Sequence, residues 1–320
     1  MHIIVISAVL ITGLHIPGCK PLRHSGSVSF YLFTNENSSN AVAIKATENS
    51  IRNSKFNKDH GTRILIHGWT ETYKNDGNFK LTNALLSKSD YNVIAVNWGD
   101  AKLWYGGAFK AVPHTGAKVG AMIKYLHETH GMSLNTLHII GFSLGAHIAG
   151  HAGRTVGPGK VHTIIGLDPA LFLYYLDKPQ DRLTSSDAFY VECIHTNAGV
   201  TGLLEPIGSA DFYPNGGQNQ PHCLFGCAHA LSITYYVEAL IWNNFGSYHC
   251  ESYHFARQNN CNHEMSNVRM GDPANANVAK GVYWVPVNEF SPYGVSSFEA
   301  WTELGPKSQQ KNANGIMMNK

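Results

Sequence analysis

Apolar residues in this chain come in short runs that stop abruptly at small or polar clusters. Residues 28–33 (VSFYLF), 63–66 (RILI), 92–98 (NVIAVNW), 161–167 (VHTIIGL) and 188–194 (AFYVECI) each read as a strand. A further run around Leu137, Ile139 and Ile140 leads straight into Gly-Phe-Ser-Leu-Gly. Behind the first strand the runs end in His67-Gly68-Trp69, Gly99-Asp100, Asp168-Pro169 and His195-Thr196. Between them lies helical spacing: Val119, Met122, Ile123 and Leu126 fall at i, i+3, i+4 and i+7. Ile233, Tyr236, Val237 and Leu240 repeat it later. Near-continuous apolar strands are covered on both faces, so the pattern predicts an α/β fold, a mostly parallel sheet flanked by helices. In such sheets function sits beyond the carboxyl ends of the strands, which makes the strand-end clusters the places to search.

The ends of the chain read differently. An apolar run of about twelve residues precedes Pro17 and Gly18; it fits the core of a signal peptide over residues 1–18 and is too short to span a bilayer. Residues 19–304 then form one domain, and 305–320 a polar tail. No later segment is long and apolar enough to be transmembrane.

Composition narrows the class. The 320 residues are 43% hydrophobic and only 14% charged, with a net charge of +2. The basic residues are scattered, so no nucleic-acid partner is expected. Six cysteines suit an extracellular protein. Cys223 with Cys227 and Cys250 with Cys261 are local candidate pairs, while Cys19 and Cys193 are left either to pair or to stay free.

The run at 137–150, LHIIGFSLGAHIAG, is a strand, a G-x-S-x-G turn and the start of a helix. That context makes Ser143 a candidate nucleophile on a sharp elbow, with Gly141 and Gly145 supplying side-chain-free flanks. A serine needs a base to take its proton, and the base needs a carboxylate to orient it. Asp168 ends the strand that follows the elbow unit, which makes it the candidate acid. Downstream of it stand His195, His222, His229, His249, His254 and His263. His229, between Cys227 and a helical pattern, is the best placed of the six, and spacing alone leaves the others open. Backbone N–H groups of Leu144 and of Trp69, after His67-Gly68, are the candidate oxyanion donors.

The motifs IHGW, GFSLGAH, GLDPA, AFYVECIHTNAG, PIGSADFYPNGGQNQPHC and CAH, in this order, resemble the pancreatic-lipase family, and in particular its insect and venom phospholipase A1 branch. The likeness runs from about residue 28 to about 285. It implies an α/β-hydrolase fold and a secreted carboxylic ester hydrolase with Ser143, Asp168 and His229 as its triad. It also implies Trp69 and Leu144 at the oxyanion hole, and a glycerolipid or phospholipid substrate met at a membrane or lipid-droplet surface. In the family two cysteines bound a long lid; here Cys223 and Cys227 enclose three residues, and Leu224 and Phe225 are the lid residues placed to meet lipid. So short a lid, with a short segment at 197–210, favours phospholipase A1 activity over a triacylglycerol or galactolipid lipase. A catalytically silent lipid-binding or yolk-type homologue is the third reading, and the intact triad argues against it. Leu231 stands where relatives often carry Arg. Thr184 stands where the family's calcium site, near Arg182 and Asp187, would have a second carboxylate. No metal or cofactor is therefore expected. The sequence ends just past the catalytic domain, so the family's C-terminal β-sandwich is expected to be missing.

Overall fold

The computed structural model describes residues 26–223 and 226–296. Ten strands form one sheet: β1 (Val28–Phe33), β2 (Val42–Ile44), β3 (Thr62–Ile66), β4 (Asn92–Trp98), β5 (His138–Phe142), β6 (Thr163–Leu167), β7 (Tyr190–Ile194), β8 (Ala210–Pro214), β9 (Tyr248–Cys250) and β10 (Gly281–Val285). Their order across the sheet is β2-β1-β4-β3-β5-β6-β7-β8-β10-β9. The middle, from β4 through β3, β5, β6, β7 and β8 to β10, is parallel; β1, β2 and β9 are antiparallel. This is the mostly parallel, helix-flanked sheet that the apolar runs predict, in the α/β-hydrolase arrangement that the resemblance implies.

The helices are α1 (Glu48–Arg52), α2 (Asp76–Lys88), α3 (Tyr105–His130), α4 (Leu144–Val156), α5 (Cys227–Trp242) and α6 (Tyr253–Arg257). Successive side chains of a strand point to opposite faces, and the core divides accordingly. Ile64, Ile66, Ile139 and Ile164 pack with α3 and α4 on one face. Leu65, Ile140 and Ile165 pack with α2 and α5 on the other. Both faces being covered explains why β3, β5, β6 and β7 carry so little polar sequence.

The runs at 28–33 and 92–98 coincide with β1 and β4, and those at 161–167 and 188–194 contain β6 and β7. Four strands lie outside the runs. β2 and β9 have three residues each, and β2 is an edge strand with two exposed positions. β8 carries Asp211 and ends in Pro214, which breaks its apolar pattern. Cys223 is bonded to Cys227 and Cys250 to Cys261, while Cys193 is buried and bears no disulfide. The signal-peptide segment, Cys19, the lid residues Leu224 and Phe225, and the polar tail lie outside the described residues. No helix among those described is long and apolar enough to cross a membrane.

One buried acid makes the fold sensitive to pH. Glu192 in β7 is 1% exposed and accepts from Tyr190 Oη, Asn275 Nδ2 and the Gly271 N–H. Burial outweighs these three bonds and pushes its carboxyl up from 4.5 to about 7. A carboxyl raised on folding favours the native state at low pH, and that advantage fades as pH climbs from 4.5 through 7. At about 1.4 kcal/mol per unit the change is about 3 kcal/mol. Glu192→Gln cannot ionise, so its stability relative to the parent chain should rise by that order between pH 5 and pH 8, read by urea unfolding.

Candidate active site

β5 passes into α4 through a single residue, and the chain can turn this tightly only where side chains are absent. A Cβ on Gly141 would lie 2.2 Å from the Gly145 carbonyl oxygen, and one on Gly145 would lie 2.2 Å from that of Ile66. Ser143, between them, is held at φ 56°, ψ −120°, a conformation that non-glycine residues rarely adopt. Its own N–H donates to Leu167 O, which ties the turn to the end of β6.

One residue beyond Leu167 stands Asp168, fully buried and also at positive φ (42°). Its Oδ1 accepts from the Thr196 and Asn197 N–H groups at 2.8 and 3.0 Å. Its Oδ2 accepts from His229 Nδ1 at 2.5 Å. His229 sits in the first turn of α5, two residues after Cys227, so the disulfide to Cys223 pins the loop that delivers it. Of the six downstream histidines, His229 is the one bonded to Asp168. The ring of Phe142, the residue before Ser143, lies 4.6 Å from its imidazole. With Nδ1 engaged by the carboxylate, Nε2 is the ring nitrogen left for other chemistry.

The loop after β3 lies against this group. A Cβ on Gly68 would come 3.1 Å from Ser143 Cβ. Several bonds hold the loop. Thr70 N–H donates to Ala101 O, Trp69 Nε1 donates to Leu103 O, and Trp98 Nε1 donates to His67 O. His67 is buried, and burial lowers its imidazole to about 4, so it stays neutral and donates through Nδ1 to Gly68 O. The N–H groups of Trp69 and Leu144 donate to no acceptor among the described residues. Unengaged donors flanking a serine are what an oxyanion site requires.

Other residues singled out by pattern go elsewhere. His195 is completely buried, donates through Nδ1 to Leu203 O, and meets Asp211 Oδ1 at 2.9 Å. Burial disfavours its charge, but the Asp211 carboxylate prevails and raises its imidazole. It fastens the loop after β7. His222 is exposed and faces Glu289 at 3.4 Å. Asp187 takes both carboxylate oxygens to Arg154 Nη1, at 2.7 and 2.8 Å, and accepts the Thr184 N–H as well. Thus the segment that aligns with the family's calcium site is occupied by an arginine. The described residues do contain one group with metal-ligand atoms in reach, Cys193, His195 and Asp211, all buried and hydrogen-bonded in the protein.

Glu71 is the residue that pattern reading misses. Its Oε2 accepts from the Gly68 N–H at 2.8 Å, immediately before the Trp69 donor. Burial raises its carboxyl, while the Gly68 bond, Asn75 and the nearby His229 lower it again. Among the described residues no Lys or Arg lies within ion-pair distance of it. Leu231, in the position where relatives often carry Arg, packs against the apolar cluster on the α2/α5 face.

Comparison with known proteins places these features. The family profile described as Lipase matches residues 18–282. The chain is similar to pancreatic lipase-related protein 2 of Cavia porcellus, 36% identical over 244 residues that cover 72% of this chain and 56% of that protein. It is similar to pancreatic triacylglycerol lipase of Myocastor coypus, 32% identical over 260 residues, covering 72% and 57%. It thus spans little more than half the length of these relatives. Among solved structures, an esterase of Pyrococcus furiosus overlaps 45% of this chain and 64% of its own at 19% identity and a TM-score of 0.33. A lidless α/β serine hydrolase of Xanthomonas campestris overlaps 53% and 70% at 14% identity and a TM-score of 0.31.

If the Glu71 carboxylate holds Gly68, removing it frees that amide. A hydrogen bond to a charged acceptor is worth about 1.5–3 kcal/mol. In Glu71→Ala the Gly68 amide should exchange with deuterium at least about tenfold faster than in the parent chain, while Glu71→Gln, which keeps an acceptor oxygen, should retain most of the protection. Equal exchange in all three forms would remove the assigned contact.

Proposed function

Because the chain belongs to the pancreatic-lipase family, we propose that it is an extracellular carboxylic ester hydrolase acting on glycerolipids, with phospholipids cleaved at the first acyl position as its preferred substrates. The observation that carries the reading is the 2.5 Å bond between His229 and buried Asp168, beside a serine on a strained elbow. In this mechanism His229 Nε2 takes the proton of Ser143 as Oγ attacks the ester carbonyl. Asp168 holds the imidazole in the required tautomer and stabilises its charged form. The tetrahedral oxyanion is met by the N–H groups of Trp69 and Leu144, aided by the N-terminal end of α4. The imidazolium returns its proton to the leaving alcohol. Water, activated by the same base, then releases the fatty acid from Ser143. No metal or cofactor has a part in these steps.

One exposed surface supports a lipid substrate. Trp69, Trp104, Phe172, Leu173, Tyr175 and Leu176 are between 39% and 67% exposed. Single exposed apolar residues are ordinary, but a set linked edge to face, Trp69 to Tyr105 to Phe172, fits contact with a lipid surface. Tyr105 Oη also donates to Phe172 O, which joins the start of α3 to the loop after Asp168. The phospholipid preference is supported by the three residues between Cys223 and Cys227, too few to roof a cleft against a bulky headgroup. A second reading, a neutral-glyceride lipase, is favoured by the likeness to pancreatic triacylglycerol lipase.

Acyl release from phosphatidylcholine and trioctanoin, measured side by side, tests both. The parent chain should release fatty acid from phosphatidylcholine, and Ser143→Ala should lower the rate by about 10⁴-fold or more. Release from trioctanoin alone would select the second reading. Release from neither, or equal release by both forms, would overturn the ester hydrolase.

A further inference from the structure

A cavity lies at the opposite ends of the strands from Ser143. Arg63, His138, Thr163 and Tyr190 stand side by side in register on β3, β5, β6 and β7, near the strands' amino ends. Beneath them, between the sheet, α2 and α5, is a cavity of about 260 Å³. Lys88, Asn243 and Pro273 form its exposed rim. Its floor and walls are buried and hold Arg63, Ile165, Glu192 and Tyr236.

Two of these buried groups have donors to spare. Arg63 is 8% exposed, its guanidinium lies 4.0 Å over the Tyr91 ring, and Nη1 donates to Thr62 O and Thr136 O. The Tyr91 hydroxyl also accepts from the guanidinium. Nε and Nη2 donate to no carbonyl or carboxylate among the described residues, and no acid among them lies within ion-pair distance of the guanidinium. Tyr236 is 3% exposed, and its hydroxyl has no hydrogen-bond partner among the described residues. The acids on the cavity wall are spent. Glu192 accepts three bonds from its own surroundings, and Asp272 accepts from Ala274 N–H and Asn243 Nδ2. A buried cation with no counter-charge is costly unless something supplies one.

We propose that this cavity binds a short-chain carboxylate, its two oxygens on Arg63 and Tyr236 and its alkyl chain against Leu85, Ile165 and Leu240. The free edge of a guanidinium presents two parallel donors that match a carboxylate better than any other anion of one charge. A phosphate dianion fits poorly, since Glu192 and Asp272 share the wall. The volume is below the roughly 300–1,000 Å³ of ordinary ligand pockets, which limits the chain to a short one. Burial and the Arg63 charge together hold His138 well below its usual range, so the imidazole beside the guanidinium is neutral and adds no competing cation. The site is separate from the proposed hydrolytic centre and stands on its own residues.

Calorimetric titration with octanoate tests it, using octan-1-ol as the headless control. The chain should bind one octanoate that survives covalent capping of Ser143 by an organophosphonate, with octan-1-ol at least about tenfold weaker. Tyr236→Phe should weaken octanoate severalfold, Arg63→Met should abolish it, and Leu240→Trp, which fills the cavity while keeping both donors, should abolish it too. If Arg63→Met fails to unfold cooperatively, the other two variants still decide. Octanoate binding that is unchanged in Leu240→Trp and Tyr236→Phe overturns the proposal, as does binding lost on capping. Failure of Ser143 to take the phosphonate would count against the hydrolase and leave the comparison of variants intact.

Discussion

Two backbones packed without side chains between them set the geometry of this protein. With no Cβ at Gly141 or Gly145, α4 starts against the carbonyl end of β3 and leaves Ser143 no room for an ordinary conformation. The strain there, and the positive φ at Asp168, each cost on the order of 1–3 kcal/mol. Hydrogen bonds from Ser143 N–H to Leu167 O and from Asp168 N–H to Ile194 O hold both residues in place. Because β5, β6 and β7 are parallel neighbours, one rigid elbow also fixes the height of the next two strand ends. Asp168 and the loop at Thr196 and Asn197 fall into position above it.

Around that frame, buried histidines act as fasteners. Besides His67 and His195, His147 in α4 donates through Nε2 to Ala170 O and accepts the Leu183 N–H on Nδ1. Burial lowers its imidazole to about 3, so it keeps one tautomer and locks the loop after Asp168 onto the elbow helix. Three histidines thus fix three strand-end loops, and among the described residues His229 is the histidine that reaches the Asp168 carboxylate. The same residue type does different work according to what surrounds it.

How much of this is legible in sequence depends on how far each residue's role is local. The parallel strands announce themselves because burial on both faces demands unbroken apolar runs, and the elbow does because steric exclusion admits only small residues at fixed offsets. The edges are less legible. β2 and β9 are short, and the polar demand on Asp211 disguises β8. β10 (GVYWV) satisfies the same apolar rule as the others, yet it follows a long polar stretch with no helical signal to frame it. In the site, spacing narrows the histidines without separating them, since a hydrogen bond across 61 positions is a product of topology. Glu71 escapes altogether: an acid three residues after Gly68 has no meaning until the loop folds back and offers its amide.

The two disulfides among the described residues belong to this local logic. They span 4 and 11 residues, so each removes little freedom from the unfolded chain, and neither joins distant parts of the sheet. The core, with Cys193 buried and free of a disulfide inside it, owes its cohesion to packing and buried hydrogen bonds. A reducing environment would therefore be felt first in the loop that presents His229 and only later in the sheet beneath, so the chain can lose its working geometry while remaining folded.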